Sequence, residues 1–257
     1  MLSSPFDLPE GIFILITDEI QSPADFLLHR SLIAHLKNSG SCVILSVSEC
    51  IARWKAIAAK SNVNLAQHIS SGSLDFVDVL THTTLPQSES ESSNGQLQAN
   101  PTLLPLFQHI ASKIESETTP ELDSSPVSKL VILDDITSLE WIGFSLLDIT
   151  RFTRALCALC LRVNATLIIR HHNITPNEPD DLFRHLLQLC RYHLDVRPLS
   201  SGRSGTVSGE VALHPGLGTP VSSSGGVKLI PRSCALQYRL TDSGVVFFGR
   251  GTSGGVL

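Results

Sequence analysis

The sequence predicts an α/β domain: a mainly parallel sheet flanked by helices, with an antiparallel extension near its C-terminal end. Three observations carry this. Through the first 190 residues, short apolar runs rich in β-branched residues alternate with amphipathic helical stretches. Beyond that point the helical stretches stop, and strand-like runs follow one another between Gly, Ser and Pro turns. The 257 residues are 42% apolar, enough for the single large core such a sheet requires, so 1–257 is read as one domain.

The elements follow in order. GIFILITD (11–18) is short, apolar and β-branched, and reads as a buried strand. ADFLLHRSLIAHLKNSG (24–40) places Phe26, Leu27, Ile33 and Leu36 on or near one helical face. Ser22 or Pro23 marks its start and Gly40 its end. SCVILSVS (41–48) is a second buried strand, 49–63 a second helix, and LDFVDVL (74–80) a third strand. This β-α-β-α-β order implies parallel strands joined by crossover helices.

Two polar tracts interrupt the pattern. Residues 86–101 (PQSESESSNGQLQANP) and 116–128 (SETTPELDSSPVS) hold almost nothing apolar and are expected to be low-complexity insertions. A helix is expected between them, over 102–116. KLVILDD then reads as a strand, 145–164 as a long helix, ATLIIRHH (165–172) as a strand and 180–190 as a helix. The last runs, YHLDVRPL, GTVSGEVALHP, ALQYRLTD and GVVFFGRG, suggest the antiparallel extension, with a hairpin turning at 241–244.

Composition excludes several classes of function. No run approaches about 18 apolar residues, so no membrane helix is expected. The N-terminal MLSSPFDLPEG has neither the basic nor the apolar region of a secretory signal, which predicts a cytoplasmic or nuclear protein. The one CxxC, Cys157 and Cys160, has no second pair at zinc-ribbon spacing and lies in an apolar helical run, so core packing is expected. No GxSxG nucleophile elbow occurs.

Charge is divided unevenly. Residues 1–150 carry 7 Lys and Arg against 18 Asp and Glu; residues 151–257 carry 12 against 6. Such asymmetry fits an anion-binding face, an interface between unlike subunits, or simply a solvated surface.

One motif resembles half of an NTPase core. Leu130-Val131-Ile132-Leu133-Asp134-Asp135 has the form of a Walker B strand, whose carboxylates hold magnesium and orient water. Acidic residues also end many ordinary buried strands. The junction after the first strand reads Thr17-Asp18-Glu19-Ile20-Gln21-Ser22-Pro23-Ala24-Asp25. It lacks the glycines and lysine of GxxxxGK[ST] and places three carboxylates where a triphosphate would sit. The expectation is a degenerate site with no working phosphate loop, no catalytic residue, no cofactor and no metal.

Arg170-His171-His172-Asn173 ends the next strand, at the edge where open α/β sheets build functional crevices. It reads equally as a nucleic-acid contact or as an ordinary polar loop.

Three blocks resemble the family of the sixth subunit of the Elongator complex. They are LVILDDITSLEWIG, the stretch Gly202-Arg203-Ser204-Gly205-Thr206-Val207-Ser208-Gly209-Glu210-Val211, and the C-terminal LQYRLTDSGVVFFGRGTSGGVL. The resemblance implies a RecA-like fold without working Walker motifs. It also implies a heterohexameric ring, two copies each with the fourth and fifth Elongator subunits, contact with the remaining Elongator subunits, tRNA binding and support for wobble-uridine modification. No catalytic residue carries over. Under this reading Arg170, His171, His172 and Arg203 are the candidate tRNA contacts, and Arg170→Glu with Arg203→Glu is expected to weaken tRNA binding without unfolding. Two other readings compete: an accessory recombinase paralogue acting on DNA, and a doubly wound small-molecule enzyme. The last lacks any convergent set of acid, base and nucleophile.

Overall fold

A computed structural model describes residues 5–83, 102–116, 127–175, 178–199, 202, 204–217, 226–242 and 244–250. Both polar tracts expected as insertions, 86–101 and all but the ends of 116–128, lie outside these residues.

The chain runs β1 (Phe13–Asp18), α1 (Asp25–Lys37), β2 (Ser41–Ser46), α2 (Ile51–Ala59), α3 (Leu65–Ser70), β3 (Leu74–Asp78), α4 (Leu104–Ser116) and β4 (Lys129–Asp134). It continues through α5 (Thr137–Trp141), α6 (Leu146–Arg162), β5 (Thr166–His172), α7 (Asp181–Leu189), β6 (Tyr192–Arg197), β7 (Gly209–Pro215), β8 (Leu236–Thr241) and β9 (Gly244–Phe248). The strands form one sheet in the order β3-β2-β4-β5-β1-β6-β7-β8-β9. Pairing from β3 to β6 is parallel, and β7 to β9 are antiparallel.

Why the central strands read as unbroken apolar runs is now plain: both of their faces are covered. Alternation then sorts side chains between two cores. Ile14, Ile16, Ile44, Ile132 and Ile168 face the layer holding Leu27, Leu28, Leu32 and Trp54. Phe13, Leu15, Val131, Leu133, Leu167 and Ile169 face the layer holding Ile149, Phe152 and Leu156 of α6. Ser145 caps α6, its hydroxyl accepting the Asp148 N–H at 3.1 Å.

The structure departs from the sequence reading in four places. YHLDVRPL does not begin the antiparallel extension: β6 pairs parallel with β1, because α7 is a crossover that returns the chain in the same direction. The expected 49–63 helix is shorter and a second, α3, follows it. There Asn64 accepts N–H groups from Ala66 and Gln67, and so restarts a helix the sequence reading ran past. α1 begins after Ala24 rather than Ser22 or Pro23. And α1 ends at Lys37, before Gly40, with Ser39 as the left-handed residue after it, at φ 58°. Gly40 is required instead for space, since a Cβ there would overlap the His35 imidazole.

Candidate functional site

The order β4-β5-β1 brings three strand ends together at one crest of the sheet. Asp18 ends β1, Asp134 ends β4, and Arg170 to His172 end β5. Register aligns Asp18 with His172. The backbone knits the crest: the Ile136 N–H donates to Arg170 O at 3.0 Å, and the Asn173 N–H to Asp18 O at 2.8 Å.

Asp18 is wholly buried. Its Oδ2 accepts the Ala24 N–H at 2.6 Å, at the head of α1, where the helix dipole favours negative charge. Its Oδ1 meets Nδ1 of His172. The intervening loop folds back on itself, with the Ser22 N–H donating to Glu19 O at 2.9 Å. A carboxylate of the chain itself therefore fills the position in which helix N-termini of this topology cradle phosphate.

Arg170 is the hub of the crest. Its Nε lies 2.7 Å from Asp134 Oδ1, one terminal nitrogen lies 3.8 Å from Asp135 Oδ2 and the other 3.9 Å from Asp18 Oδ2. The 2.7 Å approach is a charge contact whose angle falls outside hydrogen-bond alignment. Asp135 accepts from the Ser138 N–H at 2.8 Å and its hydroxyl at 3.0 Å, and faces His172 Nε2 at 3.3 Å. His172 thus bridges Asp18 and Asp135.

Burial and charge act against each other here. Burial, helped by the nearby carboxylates of Asp135, Glu49 and Asp25, raises Asp134 to about 6, although the Arg170 guanidinium pulls it down. Burial also opposes ionisation of Asp135. Its hydrogen bond to His172, the His172 charge and the Ser138 N–H outweigh that and hold it below the usual carboxylate range. For His172 burial would favour the neutral ring, but hydrogen bonds to Asp135 and Asp18 raise it to about 9. For Arg170, too, burial is outweighed, here by Asp134, Asp18 and Asp135, which hold the cation.

The magnesium chemistry suggested by Asp134 and Asp135 does not fit this arrangement. The guanidinium of Arg170 already occupies the face where both carboxylates would present oxygens. Among the described residues no group of three or more His, Cys, Asp or Glu is placed to hold a metal ion.

The candidate tRNA contacts separate. Arg170 is 5% exposed and His171 is fully buried, with Nε2 3.2 Å from Asp180 Oδ2, so in this chain neither offers a surface contact. The expectation for Arg170 and His171 is corrected on that ground: strand burial and internal carboxylates claim both side chains. Only His172 of the three reaches solvent, with 21% of its side chain exposed. Arg203 lies outside the described residues.

A neighbouring polar group escaped the sequence reading. Thr17 bonds His193 Nε2 at 2.7 Å, and Asp195, also on β6, binds Arg197 Nε at 3.0 Å and the Arg232 guanidinium. Burial lowers His193 to about 4, so that ring is neutral. The signal lay in the alternation of HLDVR: His193 and Asp195 share one face, and a buried strand with polar residues on one face implies partners across it.

The family model described as Elongation complex protein 6 matches residues 1–242. The chain belongs to the Elongator complex protein 6 family. It is 25% identical over 264 residues to Elongator complex protein 6 of Danio rerio, covering 99% of this chain and 96% of that one. To the Xenopus tropicalis protein of the same name it is 26% identical over 257 residues, covering 96% and 93%. To the Homo sapiens protein it is 23% identical over 266 residues, covering 99% and 96%. Among solved structures, a KaiC-like protein from the archaeon Pyrococcus horikoshii OT3 superposes with a TM-score of 0.65 at 11% identity. That match covers 94% of this chain and 91% of that one. In this Elongator complex protein 6 family member, the fold is therefore RecA-like. No helix among its described residues is long and apolar enough to cross a membrane.

Proposed function

We propose that the chain is a non-catalytic subunit of the Elongator complex. In this reading it assembles with the fourth and fifth Elongator subunits into a heterohexameric ring that binds tRNA and supports wobble-uridine modification, in the cytoplasm and also the nucleus. Family membership supports the complex. One observation supports the non-catalytic role: the Asp18 carboxylate holds the Ala24 N–H at the head of α1, with Arg170 set against Asp134 beside it. A triphosphate entering there would meet the Asp18 carboxylate on the Ala24 N–H rather than an open backbone donor at that position. The crest is a closed internal network, and what it stabilises is the shape of the edge offered to neighbours.

Three measurements test this. A fluorescent ATP analogue with magnesium, titrated against the isolated chain, is expected to show no saturable binding. Saturable, magnesium-dependent binding removed by Asp134→Asn overturns the non-catalytic assignment. Native mass spectrometry of the assembly purified through this chain is expected to give the mixed ring with other Elongator subunits. Recovery of recombinase filaments instead returns the chain to the DNA-directed reading. For tRNA, His172 and Arg203 are the remaining candidates. His172→Ala and Arg203→Glu in the reconstituted ring are expected to weaken tRNA binding, and unchanged affinity in both removes them.

A further inference from the structure

We propose that the groove between the outer edge of β9 and helices α1 and α2 receives an extended, acidic segment of a partner protein, which joins the sheet as a further strand.

The sheet ends at β9, and among the described residues no strand lies beyond it. The strand reads GVVFF, with no Pro and no charge, so it carries none of the devices that usually blunt an edge. Phe247 fixes it to the body of the domain. The ring packs edge-on to Phe6, with centroids 5.4 Å apart, and lies under the Arg30 guanidinium at 5.4 Å.

A cavity of about 570 Å³ opens beside this strand. It is walled by Phe26, Ile33 and Ile57 from the helices and by Leu240, Val245 and Val246 from the hairpin. Val245 and Val246 point to opposite faces of β9, yet both line the space. The cavity therefore opens on the edge of the strand, where backbone N–H and C=O groups emerge, as strand addition requires. Leu240 and Val246 continue the apolar surface outward, at 43% and 47% exposed.

Charge selects the occupant. Lys37 and Lys60 are exposed on the helical wall and have no ion-pair partner among the described residues, and Arg30 lies between the two helices and the hairpin. Of the two acids on the wall, Asp25 is 3.5 Å from Arg53. The wall is net positive in a chain of net charge −5. An apolar and acidic strand satisfies all three features, with backbone pairing to β9, apolar side chains over Ile33 and Val245, and carboxylates toward Lys37 and Lys60.

The probe is a fluorescent peptide of alternating Glu and Val, roughly eight residues long as strands commonly are, with the Lys-for-Glu peptide as control. Both are titrated against the full chain, and amide hydrogen exchange over 244–248 is read with each. The acidic peptide is expected to bind at least about tenfold more tightly and to slow exchange across β9. The double variant Lys37→Glu, Lys60→Glu, whose positions are exposed, is expected to lose that preference while keeping its thermal midpoint. Absence of binding, equal binding of the two peptides, or binding that leaves 244–248 unprotected each overturns the proposal.

Discussion

Arg170 Nε stands 2.7 Å from Asp134 Oδ1, and that contact turns the crest's central cation inward. The sequence places an arginine where an α/β sheet builds its functional edge; the fold then spends its charge on three carboxylates of neighbouring strands.

Arg170→Met is expected to destabilise the chain by about 3–5 kcal/mol, because it leaves buried carboxylates without their counter-ion. Urea unfolding at neutral pH measures this. The double variant Arg170→Met, Asp134→Leu is expected to recover most of the loss. A single variant within about 0.5 kcal/mol of wild type, the range of ordinary surface changes, contradicts the role assigned to Arg170. The expectation that Arg170→Glu spares the fold is withdrawn on the same grounds.

His172 gives the crest a pH dependence of definite sign. Its folded pKa, about 9, lies above the value of a free histidine. Its contribution to stability is therefore full below about pH 6.5 and fades as pH rises through about 9. The stability difference between wild type and His172→Gln, followed by urea unfolding from pH 6 to 10, is expected to shrink over that window. Asp135 has the opposite sense. Its carboxyl is held low, so its contribution is full above the usual carboxylate range and is lost as pH falls through its folded value. A difference that grows with rising pH contradicts the His172 assignment.

Gly40→Ala is expected to cost about 1–3 kcal/mol, the range for overpacking a filled site. The new methyl would displace His35, whose Nε2 lies 2.9 Å from Ser41 O and 3.0 Å from Ser128 O and so ties α1 to the entries of β2 and β4. His35→Ala combined with Gly40→Ala is expected to lose less than the sum of the two, since the clash then has no partner. Additive costs in thermal melts would place the strain elsewhere.

The cysteines test the reading of the CxxC pair. Cys50 and Cys234 are exposed; Cys42, Cys157, Cys160 and Cys190 are buried. Burial pushes the Cys160 and Cys190 thiols up to about 12, far from the thiolate that reacts. A disulfide-exchange reagent on the native chain is expected to titrate two thiols promptly and the remaining four only on unfolding. Prompt reaction of Cys157 or Cys160 would return redox chemistry to consideration.

What the sequence determined by itself was the sheet's skeleton and the family. Leu130–Leu133 and Ile12–Ile16 are apolar at every position, which only a strand covered on both faces tolerates, and their alternation with helices forces parallel pairing. The absence of glycine and lysine after β1 was also legible, because phosphate cradling needs those residue types. What only the tertiary structure decided was the meaning of the charges. Asp18 and His172 are 154 positions apart and Thr17 and His193 are 176 apart; no local pattern encodes either contact. Strand order brought Arg170 between Asp18 and Asp134, and low-dielectric burial then made pairing obligatory, converting an apparent binding arginine into an internal counter-ion. The same strand order left β9 at the edge beside a positively charged groove, a relation that appears only when the last hairpin folds back over α1.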